Sequence, residues 1–141
     1  MLDCADGVGL GAFNALTIPM SKSAKLLLIE DDPVLGPVTM DLLTLIGHCA
    51  SLSASFEAAY QALTEPHEIE VVLLDLQLGS RRGEELIKAV RLRKNSPPVV
   101  IFSAMPIADL RRAANEIGAN VILQKPCSVS EMTQAIERAL A

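Results

Sequence analysis

The amino-acid sequence predicts an α/β domain: a doubly wound, five-stranded parallel sheet with strand order 2-1-3-4-5. Three observations carry this. From residue 24 onward, short aliphatic runs alternate five times with segments of helical period. The runs are continuously apolar, as strands buried on both faces are, and Gly, Pro or polar residues bound each one. Right-handed crossovers then place helices on both sides of the sheet, and 2-1-3-4-5 is the common five-strand solution.

The first run covers 24–29. Leu35, Val38, Leu42 and Leu45 follow at steps of three and four as the inward stripe of a first helix, with Pro33 suited to its first turn and Gly47 to its stop. The second run, 49–52, leads to a helix marked by Phe56, Ala59, Tyr60 and Leu63 before Pro66. The third, 71–74, precedes a helix over about 83–93 with Leu86, Ile87 and Val90 inward. The fourth, 99–102, precedes Ile107, Leu110, Ala114 and Ile117, closed by Gly118. After the fifth, 121–123, Ser128 and Glu131 form a capping box for a last helix with the stripe Met132, Ile136 and Leu140. Residues 1–23 show no sustained period and read as a tail, with Met20 as a second candidate start; the domain is 24–141.

A length of 141 residues fits one domain. Half the residues are apolar and only 3% aromatic, with no Trp, so aliphatic side chains fill the core. Twelve basic against seventeen acidic side chains leave a net charge of −5, which argues against direct nucleic-acid binding. The basic residues Arg81, Arg82, Lys88, Arg91, Arg93, Lys94, Arg111 and Arg112 are assigned to helix ends and exposed faces. No apolar run is long enough to cross a membrane, and the first twenty residues lack the basic start of a signal peptide, so a cytoplasmic location is expected. Cys4, Cys49 and Cys127 form no CxxC or Cys/His cluster and are expected to be reduced. His48, at a helix end, and His67, after Pro66, are expected to be solvated.

In such sheets ligands bind beyond the carboxyl ends of the strands, where strand order reverses. Glu30, Asp31 and Asp32 follow the first strand, Asp75 the third, Ser103 the fourth and Lys125-Pro126 the fifth. A single acid at a strand end is ordinarily a solvated loop residue; Asp31, Asp32 and Asp75 together with Ser103 and Lys125 form a constellation. Carboxylates held close repel unless a proton or cation sits among them. An all-oxygen ligand set favours a hard ion such as Mg²⁺, which keeps waters and takes phosphate oxygens. Lys125 adds an ammonium and Ser103 a hydroxyl. A phosphoryl group fits all three, and Asp75 could attack its phosphorus to form an aspartyl phosphate.

The segments 26–32 (LLLIEDD), 71–75 (VVLLD), 99–104 (VVIFSA) and 118–126 (GANVILQKP) resemble the receiver domain of two-component response regulators, with its flavodoxin-like fold, over residues 24–141. The resemblance implies that Asp75 accepts a phosphoryl group from a sensor histidine kinase or a histidine phosphotransfer protein. It implies direct Mg²⁺ ligation by Asp32 and Asp75, a water-mediated contact from Asp31, and a ligand from the Gln77 backbone carbonyl. Lys125 would pair with the phosphoryl oxygens, its bond to Pro126 would be cis, and Ser103 would turn toward the phosphoryl group.

Two positions depart from the family. Ile122 stands where an aromatic or His is usual, and Cys127 replaces the Phe that usually follows Lys-Pro. Output through an aromatic rotamer is therefore not expected. Cys127 reads as a buried, inert thiol. Met40 and Leu43 lie off the predicted inward stripe of helix one and are expected to dock a partner's helix pair.

The sequence ends directly after helix five, so a stand-alone receiver acting as a monomer or weak homodimer is expected, with no membrane contact. The alternatives are a pseudo-receiver that binds a partner without phosphorylation, toward which Ile122 leans, and a Mg²⁺-dependent phosphatase of the haloacid-dehalogenase type. The phosphatase needs an acid two residues after its nucleophile, and position 77 is Gln.

Overall fold

The computed structural model describes residues 23–141; the predicted tail up to residue 22, with Met20, lies outside them. Five parallel strands, β1 (Lys25–Ile29), β2 (Cys49–Ser53), β3 (Val71–Leu74), β4 (Val99–Ser103) and β5 (Val121–Gln124), run in the order β2-β1-β3-β4-β5. This is the predicted topology. Five α-helices cover the sheet: α1 (Leu35–Ile46), α2 (Phe56–Thr64), α3 (Ile87–Leu92), α4 (Ile107–Ile117) and α5 (Val129–Leu140).

The strand pleat divides the core into two layers. Leu27, Ile29, Val72, Leu74 and Ile101 face α2, α3 and α4. Leu26, Leu28, Val71, Leu73 and Val100 face α1 and α5. Each fully buried leucine contributes about 2 kcal/mol of apolar transfer free energy. The Ser128 capping box forms as predicted: Ser128 Oγ accepts the Glu131 N–H at 3.0 Å, and Glu131 Oε1 accepts the Ser128 N–H at 2.8 Å.

Helix α1 is rotated from its predicted setting. Its buried residues are Gly36, Thr39, Leu43 and Ile46, whereas Leu35, Val38 and Leu45 are 42%, 56% and 65% exposed. The helix carries apolar residues on two faces, and the face with Gly36 is the buried one. A Cβ at Gly36 would lie 3.2 Å from Leu52 Cδ2, a contact to which the Leu52 side chain would have to yield by a few tenths of an ångström. The expected docking pair is corrected accordingly. Leu43 is fully buried and Met40 half-buried against the same core layer.

Three further elements differ from the sequence reading. The third helix begins as a 3₁₀ turn at Gly83–Leu86, and ahead of it Gln77–Leu78 pairs antiparallel with Arg81–Arg82. Gly83 is required where it stands, because a Cβ would fall 2.3 Å from the Asp75 carbonyl oxygen. His48 is buried, not solvated. Gly47, at φ 112°, ends α1 in the left-handed region and turns the His48 ring under β1, where its Nδ1 accepts the Ala24 N–H at 3.1 Å. Cys127 is a free thiol.

Candidate functional site

The carboxyl ends of the strands bring the site together through the sheet's own hydrogen bonds. The Glu30 N–H donates to the Ser53 carbonyl at 3.1 Å, and the Asp75 N–H donates to the Ile29 carbonyl at 3.1 Å. On the other side of the site, the Lys125 N–H donates to the Ser103 carbonyl at 2.8 Å. These bonds continue the parallel ladders one residue past the strands and bring Glu30, Asp75 and Lys125 together.

Asp75 is 7% exposed at the floor of the site. Its Oδ1 accepts the Gln77 N–H at 3.1 Å, and its Oδ2 lies 3.3 Å from Lys125 Nζ. Lys125 also forms an ion pair with Glu30 and places its ammonium 4.9 Å from the centroid of the Phe102 ring. Its bond to Pro126 is cis, as the family resemblance implied. Asp31 is held by the hairpin loop, its Oδ2 accepting the Gly79 N–H at 2.8 Å. Oxygens of Glu30, Asp31 and Asp75 lie within 4.8 Å of one another. Burial is the main cause raising the Glu30 carboxyl above its ordinary value; hydrogen bonding to Lys125 opposes the rise, and Asp75 adds to it.

Asp32 is not in this cluster, a correction to the predicted metal set. Its Oδ1 accepts the N–H groups of Val34 and Leu35 at 2.8 and 2.9 Å, capping the entry to α1. Those backbone bonds hold its carboxyl below the usual value. Three consecutive acids make a one-residue slip easy, and the signal that resolves them is Asp32 directly before Pro33, a helix-start pair. Glu30, next to the strand, takes the inner position.

Ser103 is 1% exposed, and its Oγ accepts the Met105 N–H at 3.3 Å. Ile122 is half-buried against the α4-side core. Cys127 is half-buried, and burial pushes its thiol up, so it has no thiolate character. The basic residues are largely engaged within the fold. Arg93 donates to the carbonyls of Leu63 and Glu65, Arg91 to that of Ile117, and Arg82 and Arg112 pair with Glu84 and Asp109. A cleft of about 1010 Å³ between α2 and α3 lies at the other end of the sheet and includes none of the site residues. Among the described residues no helix is long and apolar enough to cross a membrane.

The family model of the response regulator receiver domain matches residues 26–137, and the chain belongs to that family. It is 29% identical over 112 residues to the transcriptional regulatory protein MalR of Bacillus subtilis, a match covering 78% of this chain and 47% of MalR. The chain spans about half the length of the first curated relatives it matches. The non-phosphorylated HemR receiver domain of Leptospira biflexa superposes with a TM-score of 0.71 at 25% identity, over 84% of this chain and 95% of that one. The receiver domain of sensor histidine kinase PA1611 from Pseudomonas aeruginosa, which has a magnesium ion coordinated in its active-site cleft, superposes with a TM-score of 0.74 at 24% identity, over 84% and 98%. This protein is therefore a two-component signalling module with an acidic cluster like the receiver magnesium site.

Proposed function

We propose that Asp75 accepts a phosphoryl group from the phosphohistidine of a sensor kinase or phosphotransfer protein, and that the phosphorylated domain changes the proteins it binds or relays the group onward. The observation that carries this reading is the convergence of Asp75 with Glu30, Asp31 and the Lys125 ammonium on one pocket.

The donor set suits Mg²⁺: Asp31 and Asp75 as direct ligands with the Gln77 carbonyl, and Glu30 in place of the predicted Asp32 as the outer acid. When bound, the ion withdraws charge from the phosphoryl oxygens. An Asp75 carboxylate oxygen attacks phosphorus, the P–O bond forms as the P–N bond breaks, and the imidazole leaves as a neutral ring after protonation. Lys125, 3.3 Å from Asp75 Oδ2, pairs with the arriving oxygens, and Glu30 keeps its ammonium aimed at the site. Ser103 donates its hydroxyl to a phosphoryl oxygen.

Among the described residues, Leu35, Val38 and Leu45 leave an exposed apolar face on α1, which supports docking of the donor's helices there. Beryllofluoride binding followed by ¹⁹F NMR tests the site. A Mg²⁺-dependent bound signal, lost in Asp75→Asn and Asp31→Asn and kept in Asp32→Asn, is expected. A bound signal that survives Asp75→Asn contradicts the assignment.

A further inference from the structure

β4 and β5 end side by side, with Ser103 opposite Gln124 in the register. Both side chains hold the same residue of the β4–α4 connection. Ser103 Oγ accepts the Met105 N–H at 3.3 Å, while Gln124 Nε2 donates to the Met105 carbonyl at 2.9 Å. Met105 is half-buried and packs on the core layer beneath α4. Gln124 lies two residues beyond Ile122, hence on the same face of β5, and Ile122 packs on that layer too.

We propose that Gln124 is a positioning residue of the switch, anchoring the carbonyl side of Met105 while Ser103 holds its amide. The inference rests on Ser103 answering a phosphoryl group on Asp75. When the Ser103 hydroxyl turns to that group, the hold on the Met105 amide is released and the Gln124 bond alone sets where the loop and the start of α4 come to rest. Ile122 has no polar atom with which to hold the loop. Gln124 supplies that hold from the adjacent pleat, so the signal passes along a backbone peptide instead of an aromatic rotamer.

Amide hydrogen exchange of the full chain tests this, read over residues 104–110 with and without Mg²⁺ and beryllofluoride. Gln124→Glu, isosteric but without the donor, and Gln124→Leu are the variants, with Gln124→Lys as the donor-restoring control. Without beryllofluoride, the Glu and Leu variants are expected to speed exchange in this segment roughly three- to tenfold, as loss of one net hydrogen bond predicts, while β1 and β3 are unchanged and Gln124→Lys stays near wild type. With beryllofluoride, the change confined to 104–110 in the wild type is expected to spread past residue 110 along α4 in the two variants. Exchange unaltered in both variants overturns the proposal, as does a ligand response identical to wild type. If the wild-type protein takes no beryllofluoride, the phosphoryl reading fails, and exchange without ligand still decides whether Gln124 holds the loop.

Discussion

Glu30 and Lys125, from opposite sides of β3, form an ion pair whose side chains are 2% and 11% exposed. Glu30 is thereby the counter-charge that makes a lysine tolerable at the floor of the site. Removing one member of such a pair leaves the other unpaired in low dielectric. Lys125→Met is expected to lower stability by about 3 kcal/mol, read from urea unfolding in Mg²⁺-free buffer, and Glu30→Gln added to it is expected to recover a good part of the loss.

Asp31 and Asp32 separate by role. Mg²⁺ is expected to raise the melting temperature of the wild type, since an ion bound only by the folded state stabilises it. Asp31→Asn should abolish that shift. Asp32→Ala should keep it while lowering the urea midpoint through the lost bonds to the Val34 and Leu35 N–H groups. The opposite pattern would return the metal site to the predicted Asp32.

His48 makes stability depend on pH. Burial holds its pKa below the ordinary 6.5, and its Nδ1 is occupied by the Ala24 N–H while Nε2 is buried without a partner. Below about pH 6.5 the unfolded chain binds the proton that the folded chain refuses, so this contribution to stability falls on acidification until the folded value is reached. Urea unfolding of the wild type and His48→Gln from pH 7.5 to 5 should give a difference that narrows toward low pH.

The exposed face of α1 predicts a donor-specific effect. Leu35→Glu with Val38→Glu changes residues 42% and 56% exposed, so stability should move by no more than about 1 kcal/mol. Phosphotransfer from the cognate donor should slow at least roughly tenfold, about 1.4 kcal/mol of docking energy, while reaction with acetyl phosphate is unchanged. Equal slowing with both donors would point to damage at the site and not to docking.

Strand order and all five helices were legible because the buried strands are unbroken aliphatic runs and the helices carry clear stops, such as Gly47 and Gly118. The meeting of Asp75 with Lys125 was legible from their strand ends. What escaped was decided by tertiary contact. Two apolar faces of α1 compete, and the one with Gly36, next to Leu52, is buried. The role of Glu30 depends on Lys125, which reaches it from ninety-five residues away. His48 reads as a helix-end residue until the Gly47 turn folds it under β1. The Gln77–Arg82 hairpin is too short to leave a periodic trace, yet its Gly79 N–H holds Asp31 in the site.

The most direct measurement is intact mass after incubation with Mg²⁺ and acetyl phosphate, with the modified residue located by peptide mapping. The account predicts one added phosphoryl group, on Asp75, requiring Mg²⁺ and absent from Asp75→Asn. No adduct under conditions that preserve acyl phosphates, or an adduct at another residue, would contradict it, and the domain would then stand as a receiver fold that binds its partner without phosphorylation.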